Sequence, residues 1–142
     1  MKRIPLILLL ENDQNDLFWF RRALTACQVE ADLRIVESVK QARDYLQGQG
    51  EFMDRTYYRM PDLIVSDFKM HGHTGVEFIR WLRQQSDYKE IPVVMYSGTA
   101  LPQDKSAAME SGALAFFQKS GDFKTVCQNI TEIVRYMKPV SK

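Results

Sequence analysis

Short apolar runs alternate with amphipathic helical patterns along the whole chain, and this alternation limits the fold more than any other feature. The apolar runs lie at 6–10, 33–36, 63–66, 91–96 and 113–117. Each is followed by apolar residues three or four positions apart, which is the spacing of an amphipathic helix. Five strand-helix units predict one doubly wound parallel sheet with right-handed crossovers and helices on both faces. The expected fold class is therefore α/β.

The helical patterns carry recognisable start and stop signals. Ser38 is a predicted N-cap of the second helix, and Asp13 is predicted as the N-cap of the first rather than as a ligand. The stretch 48–61 is polar and irregular, which indicates a partly mobile surface excursion. The predicted helical ranges are 16–27, 39–48, 76–82, 102–111 and 123–137.

Length and charge exclude several classes of function. The chain has 142 residues and is expected to form a single domain over 1–142. A net charge of +1 without any basic run longer than a pair gives no footprint for nucleic acid. The apolar stretch 4–10 is too short to span a membrane, and no cleavage site follows it.

Cys27 and Cys127 lack the spacing of metal ligands and are expected to be buried free thiols. Because free thiols are typical of a reducing compartment, we predict a cytoplasmic protein.

Polar side chains follow four of the predicted strands. Glu11-Asn12-Asp13, Asp67, Ser97 and Lys119 all stand at strand ends that a parallel sheet brings to one edge. Carboxylates there can bind a hard cation such as Mg²⁺, which prefers oxygen ligands. An Asp can act as a covalent acceptor while the cation and a Lys neutralise phosphoryl oxygens. These residue types predict phosphoryl chemistry at this edge.

With these motifs the whole chain resembles a response regulator receiver domain of the CheY-like family. The resemblance rests on the acidic cluster at 11–13, on Asp67-Phe68-Lys69-Met70 with Gly75 eight residues after Asp67, and on Ser97, Phe116 and Lys119 in order. It implies a flavodoxin-like, CheY-like fold. It also implies a stand-alone regulator without an output module, which is a phosphoacceptor rather than an enzyme beyond self-phosphorylation and self-dephosphorylation.

The resemblance also implies a role for each matching position. Asp67 would be the phosphoacceptor, with Ser97 and Lys119 contacting the phosphoryl group and Phe116 as the switch aromatic. The implied Mg²⁺ ligands are Glu11, Asn12, Asp67 and the backbone carbonyl of Lys69. The implied partners are a histidine kinase or phosphotransfer protein and a downstream protein target. Whether the protein forms a homodimer stays open.

Three positions depart from the family pattern. Asn12 stands where a second acidic metal ligand is usual, so cation affinity should fall. His71 replaces a usual Pro after Met70. Ser120 replaces the Pro that usually follows the Lys, where the family tends to have a cis bond. A cis bond before a non-Pro residue costs about 2.5–4 kcal/mol, so Lys119-Ser120 is either trans or strained.

Simpler structural interpretations stand beside these roles. Glu11 could be a solvated loop carboxylate, Ser97 could satisfy turn backbone, and Phe116 could serve the core. Lone His residues such as His71 and His73 in a polar turn are more often surface groups than transition-metal ligands. Helix spacing cannot bury Phe18, Trp19 and Trp81 together, so exposed aromatics are expected.

Three functional hypotheses follow from the residues. The first is the phosphoacceptor switch, and the second is an atypical receiver that binds partners constitutively because Asn12 weakens the metal site. The third is a phosphatase of the haloacid dehalogenase type. That chemistry needs an acid two residues after the nucleophile, and Lys69 stands there instead.

Overall fold

The computed structural model describes residues 3–70 and 72–137, and its centre is one five-stranded parallel sheet. The strands are β1 (Leu6–Leu10), β2 (Asp32–Val36), β3 (Leu63–Ser66), β4 (Val93–Ser97) and β5 (Ala115–Gln118). Their order in the sheet is β2-β1-β3-β4-β5, and every pairing is parallel. This confirms the predicted sheet.

Five α-helices connect and follow these strands. They are α1 (Gln14–Ala26), α2 (Val39–Gln47), α3 (Gly75–Arg83), α4 (Pro102–Ser111) and α5 (Phe123–Ile133). The side chains of Asp13 and Ser38 accept backbone N–H groups at the starts of α1 and α2, so both predicted N-caps are confirmed. None of the helices within 3–70 and 72–137 is long and apolar enough to cross a membrane.

The sheet separates two hydrophobic cores. Alternate strand residues point to opposite faces, so Leu8 and Ile64 pack with α2, α3 and α4 while Ile7 and Val65 pack with α1 and α5. All five residues of β1 are buried. Burial on both faces explains why this strand is an unbroken apolar run instead of an alternating one.

Element boundaries differ from the prediction near the chain's later strands. β4 begins at Val93 and not at 91, because Pro92 precedes it and has no N–H to donate to the ladder. β5 begins at Ala115 and not at 113, after the left-handed Gly112 that ends α4. The last helix ends at Ile133 and tightens into a 3₁₀ turn, Val134–Tyr136, which is common at helix C-termini.

Most of the segment 48–61 is exposed at the surface, as expected, but one buried ring anchors it against α2. A short 3₁₀ helix, Gly50–Phe52, turns the Phe52 ring inward, where its centroid lies 5.2 Å from that of Tyr45 and 5.2 Å from that of Tyr58. The Tyr45 hydroxyl donates to the Arg59 carbonyl at 2.8 Å. Three aromatic rings therefore hold a segment whose polar composition indicated a loose loop.

The two cysteines are half-buried rather than buried. Cys27 is the C-cap of α1 and lies just outside that helix, whereas Cys127 is within α5. The Cys27 Sγ lies 3.6 Å from the Cys127 carbonyl oxygen, so the two thiol-bearing residues meet where α1 and α5 pack. Both thiols are free.

A small antiparallel hairpin that was not predicted links β3 to α3. Its two-residue arms are Lys69–Met70 and His73–Thr74. The Thr74 side chain then caps α3 by accepting the Glu77 amide. His71, which stands in place of the usual Pro, lies outside the described residues.

Candidate functional site

The carboxyl ends of the central strands open onto a cleft of about 410 Å³. Residues at or just after the ends of β1, β3, β4 and β5 face the opening. Its lining includes Asn12, Asp13, Asp16, Asp67, Lys69, Ser97 and Lys119. The cleft therefore brings together predicted site residues from four strand ends, whereas Glu11 and Phe116 do not line it.

Asp67 is the first residue after β3, and its position is held by backbone and side chain. Its amide donates to the Leu10 carbonyl at the end of β1 at 3.1 Å. Oδ1 accepts the Phe68 amide at 2.7 Å, and Oδ2 accepts the Lys119 ammonium at 3.1 Å. The carboxylate is mostly shielded from water yet lines the cleft.

Lys119 follows β5 and contacts three carboxylates at once. Its Nζ lies 2.5 Å from Glu11 Oε1, 2.7 Å from Asp16 Oδ2 and 3.1 Å from Asp67 Oδ2. An ammonium has three N–H donors, so all of them are used. Lys119 is the centre of the site's charge network.

Glu11 lies beneath this network as a buried charge. Only 2% of the residue is exposed. Its Oε2 accepts the amides of Asn12 at 3.1 Å and Asp13 at 3.2 Å, while Oε1 accepts Lys119. The contacts are those of a buried, paired carboxylate and exclude the solvated loop alternative.

The pKa values of Glu11 and Lys119 are both raised, but for opposite reasons. Burial raises the pKa of Glu11 above its ordinary value, and the Lys119 contact opposes that shift without cancelling it. For Lys119, burial lowers the pKa, but hydrogen bonds with Asp16 and Glu11 and the charge of Asp67 outweigh it. The net pKa of Lys119 is raised, so the ammonium stays charged throughout the neutral range.

Ser97 and Phe116 occupy neighbouring strands at the same edge. Ser97 ends β4 and is 3% exposed, with its Oγ 3.5 Å from the Thr99 amide, a long contact that leaves the hydroxyl weakly bound. Phe116 lies in β5 next to Met95 in the sheet register and is half-buried against the α3 and α4 core. Its ring is therefore not locked in the centre of the core.

Two of the three departures from the family pattern can be located. Asn12 is half-buried and lines the cleft. The Lys119-Ser120 peptide bond is trans, and Lys119 nevertheless reaches Asp67. The Ser120 hydroxyl accepts the Asp122 amide at 3.0 Å, so this side chain organises the turn into α5.

Asp16 is the site residue that sequence reasoning missed. The sequence pattern predicts only that an amphipathic helix starts at Asp16, yet its Oδ2 is one of the three acceptors of Lys119. The placement of Asp13 as N-cap was the available signal. It puts Asp16 in the first turn of a helix that begins at the functional edge.

Exposed aromatics lie near the site on α1. Phe18 is 55% exposed and Trp19 is 43% exposed, as the spacing predicted, and Trp19 packs its ring 5.6 Å from that of Phe123 on α5. Trp81 is half-buried, with the Arg43 guanidinium 4.7 Å from its ring centroid.

Gly75 supports the Asp67 turn through a close backbone approach. Its amide donates to the Phe68 carbonyl at 2.7 Å. A Cβ at this position would overlap the Asp67 carbonyl oxygen and would lie 2.8 Å from Ser66 Oγ. Only glycine fits here without displacement of the backbone that carries Asp67.

We therefore expect Gly75→Ala to lower the free energy of unfolding by about 1–3 kcal/mol, the usual cost of overpacking a tight site. Urea denaturation followed by circular dichroism measures it. Gly121→Ala is the matched control, because a Cβ there meets no atom within 4 Å. Equal stability of the two variants would contradict the close-approach explanation.

The residues around the cleft fit a divalent cation. Glu11, Asp16 and Asp67 place three carboxylates around the single ammonium of Lys119, which leaves an excess of negative charge. Among the described residues, acidic and His or Cys side chains alone form no group of three arranged to hold a metal. A cation here would need the Asn12 amide oxygen and the Lys69 carbonyl as well, which are hard oxygen donors of the kind Mg²⁺ accepts.

Sequence comparison finds relatives among regulators of two-component signalling. The chain is 31% identical over 81 residues to the phosphate regulon transcriptional regulatory protein PhoB of Escherichia coli, which is 57% of this chain and 35% of PhoB. It is 38% identical over 58 residues to the two-component response regulator ARR17 of Arabidopsis thaliana, covering 41% of this chain and 38% of that protein. The matched stretches thus span little more than a third of these relatives.

Solved structures match over nearly the whole chain. A response regulator in red light signaling of R. palustris superposes with a TM-score of 0.89 at 22% identity, covering 98% of this chain and 99% of that one. The Mn²⁺-bound response regulator Rcp1 gives a TM-score of 0.80 at 26% identity and covers 93% of each chain. These likenesses agree with the five-stranded fold.

The family model described as the response regulator receiver domain matches residues 7–131. Receiver domains are signalling domains of two-component systems rather than classical enzymes. They interact with histidine kinases or phosphotransfer proteins, and they generally use Mg²⁺ for phosphorylation. The match runs from within β1 to within α5 and contains all residues that line the cleft. The chain belongs to the response regulator receiver domain family.

Proposed function

We propose that this protein is a response regulator that accepts a phosphoryl group on Asp67 from a histidine kinase or phosphotransfer protein. The observation that carries the proposal is the contact between Lys119 and Asp67, 3.1 Å, at the base of an open cleft. A carboxylate that is shielded, accessible from one side and beside a fixed cation has the setting of an activated oxygen nucleophile.

The contacts support an assignment of roles in the transfer step. The Asp67 Oδ2 oxygen forms a bond to phosphorus as the phosphorus–nitrogen bond of a phosphohistidine breaks, and the electron pair stays on the imidazole nitrogen. The Lys119 ammonium neutralises a phosphoryl oxygen, and the weakly bound Ser97 hydroxyl can rotate to donate to another. The proposed chemistry of the site is limited to accepting and losing this phosphoryl group.

For Mg²⁺ we propose direct ligation by Asp67, Asn12 and the Lys69 carbonyl, with Glu11 as the fourth member of the set. Both Glu11 oxygens already accept hydrogen bonds. This favours a role in which the charge of Glu11 attracts the cation without direct contact. When bound, the cation would neutralise phosphoryl oxygens. Since Asn12 supplies a neutral oxygen instead of a carboxylate, we propose that the cation affinity is weaker than an acidic pair would give.

The output would be a change in a protein-binding surface. A phosphoryl group adds about 1.5–2 negative charges and strong acceptors beside Ser97. Movement of Ser97 would let the half-buried Phe116 ring turn further inward, and this would alter the face formed by α4, β5 and α5. We propose that a downstream protein target binds this face, with a second copy of the chain as a further candidate in a homodimer.

We also propose that the protein acts in the cytoplasm. The free, half-buried thiols of Cys27 and Cys127 support this location, because such thiols persist in a reducing compartment.

A second candidate is a receiver that binds partners constitutively. Two observations favour it: Asn12 removes one acidic ligand, and Lys119 satisfies all three of its donors with carboxylates of the protein itself. A site with this internal pairing can keep one arrangement without phosphorylation.

Phosphorylation by a small phosphodonor separates the two candidates. We expect the wild type, incubated with acetyl phosphate and Mg²⁺, to gain the mass of one phosphoryl group, and Asp67→Asn to gain none, because the amide cannot attack phosphorus. Intact-mass spectrometry measures both. Asp87→Asn is the matched control, since Asp87 is exposed in the turn between α3 and β4 and should react like the wild type. Absence of added mass in the wild type would favour the constitutive candidate.

A further inference from the structure

We propose that Asp16 competes with the phosphoryl group for the Lys119 ammonium and thereby holds the unphosphorylated arrangement of the site. This inference rests on the proposed function of Asp67. It assigns a regulatory contact to a residue on α1 that is neither the acceptor nor a member of the proposed cation set. The contact is the 2.7 Å hydrogen bond from Lys119 Nζ to Asp16 Oδ2.

The present contacts of Lys119 restrain the ammonium that a phosphoryl group needs. Its three N–H groups go to Glu11, Asp16 and Asp67. A phosphoryl group on Asp67 brings new anionic oxygens that need a charge-assisted hydrogen bond from the same ammonium. Bonding of Asp67 Oδ2 to phosphorus frees the N–H that now goes to this oxygen, but a phosphoryl oxygen lies beyond Oδ2. Lys119 must therefore shift outward to reach it, and its contacts with Glu11 and Asp16 oppose that shift.

Asp16 is the partner that can leave at the lowest cost. Glu11 is almost fully buried and would be left as an unpaired interior charge if Lys119 moved away from it. The Asp16 side chain is 37% exposed, so water can replace the lost hydrogen bond. Its place in the first turn of α1 also favours a carboxylate that has lost its cation, because the helix N-terminus is electropositive.

The release of Asp16 would be detectable at Trp19. Trp19 lies three residues further along α1, on the same side of the helix. The side chains of Asp16 and Trp19 line one small cavity together with Ser120 and Phe123. Ser120 directly follows Lys119 in the chain. The half-exposed indole therefore reports on the Asp16–Lys119 contact without being part of the chemistry.

Binding of beryllium fluoride, a phosphoryl mimic, tests the competition at a fixed Mg²⁺ concentration. We expect Asp16→Asn to bind it about fivefold more tightly than the wild type, the upper range for a partly exposed ion pair. Asp16→Ala, which also removes the remaining oxygen acceptor, should show at least the same gain. The dissociation constant is measured from the fluorescence titration and checked by calorimetry.

Asp13→Asn is the matched control for charge. Asp13 lines the same cleft and has no hydrogen bond to Lys119, and Asn is an equally good N-cap. This variant removes the same negative charge near the anion without touching the Lys119 contact. We expect it to tighten binding by about twofold or less.

The outcomes distinguish this inference from the proposed function. Equal gains of affinity in the Asp13 and Asp16 variants would show that removal of a negative charge alone tightens binding. Weaker binding in the Asp16 variants would show that Asp16 supports the site. Either result would overturn the competition. If the wild type binds no beryllium fluoride, the proposed function of Asp67 fails, and the competition fails with it.

Acylation of Lys119 by acetic anhydride, mapped by mass spectrometry, tests the restraining contact apart from phosphoryl binding. It should be faster in Asp16→Asn and unchanged in Asp13→Asn. Equal labelling in all three proteins would overturn the claim that Asp16 restrains Lys119.

Discussion

Replacement of Lys119 by methionine should lower the free energy of unfolding by about 3 kcal/mol near neutral pH. The methionine removes one ammonium from among three carboxylates, one of which, Glu11, is buried. An interior carboxylate without its cation keeps the cost of desolvation and loses the compensating attraction. Urea denaturation of the wild type and Lys119→Met measures the difference.

The loss should shrink as the pH falls from about 8 to about 5. Burial already raises the pKa of Glu11 in the wild type, and removal of Lys119 raises it further. A carboxyl whose folded pKa is raised stabilises the fold when protonated and loses that contribution as the pH rises through the folded pKa. Acidification therefore neutralises Glu11 in the variant and restores part of its stability. Lys119 itself stays charged in this window because its pKa is raised.

Lys124→Met is the control for this substitution. Lys124 is exposed on α5, so its removal should change stability by no more than about 0.5 kcal/mol. A Lys119→Met variant as stable as Lys124→Met, or one whose loss is the same at every pH, would contradict the assignment of Lys119 as the cation that stabilises Glu11.

Asn12→Asp should strengthen Mg²⁺ binding by about tenfold or more, because affinity for a hard cation rises with the number of charged ligands. Asn12 already lines the cleft, so the substitution changes charge with almost no change in shape. The additional carboxylate also increases repulsion with Asp67 and Glu11. We therefore expect the variant to be less stable than the wild type without Mg²⁺ and to gain more stability when Mg²⁺ is added.

Asn15→Asp provides a matched control for this gain. Asn15 is exposed on α1 close to the site but does not line the cleft, so the same substitution there should leave Mg²⁺ affinity within about twofold. Calorimetric titration with Mg²⁺ compares the three proteins. Equal affinities would show that Asn12 does not face the cation, and the proposal that it weakens the site would fail.

The strands and helices could be predicted from the sequence because the sequence signals for them are local. The continuous apolar run of β1 reflects burial on both faces, and the Asp13 and Ser38 caps depend on neighbouring amides alone. The anchoring of the segment 48–61 could not be predicted, for the opposite reason. Its packing depends on Phe52 meeting Tyr45 and Tyr58, and no short-range pattern reports such a meeting of rings.

The same distinction applies to the site. Strand ends predicted that Asp67, Ser97 and Lys119 would share an edge, because parallel topology brings such ends together. Which carboxylates Lys119 would select was not predictable. The choice of Asp16 depends on how far the first turn of α1 reaches over the cleft, and that is set by the packing of α1 on α5.

The central claim is that Asp67 carries the phosphoryl group, and residue-level mapping of the modified protein tests it most directly. An acyl phosphate is reduced by borohydride to the alcohol with release of phosphate, so a phosphorylated Asp becomes homoserine. After treatment with acetyl phosphate, Mg²⁺ and borohydride, peptide mass spectrometry should find homoserine at position 67 and leave Glu11, Asp13 and Asp16 unchanged. Reduction at another carboxylate, or at none while the intact mass still increases, would contradict the account.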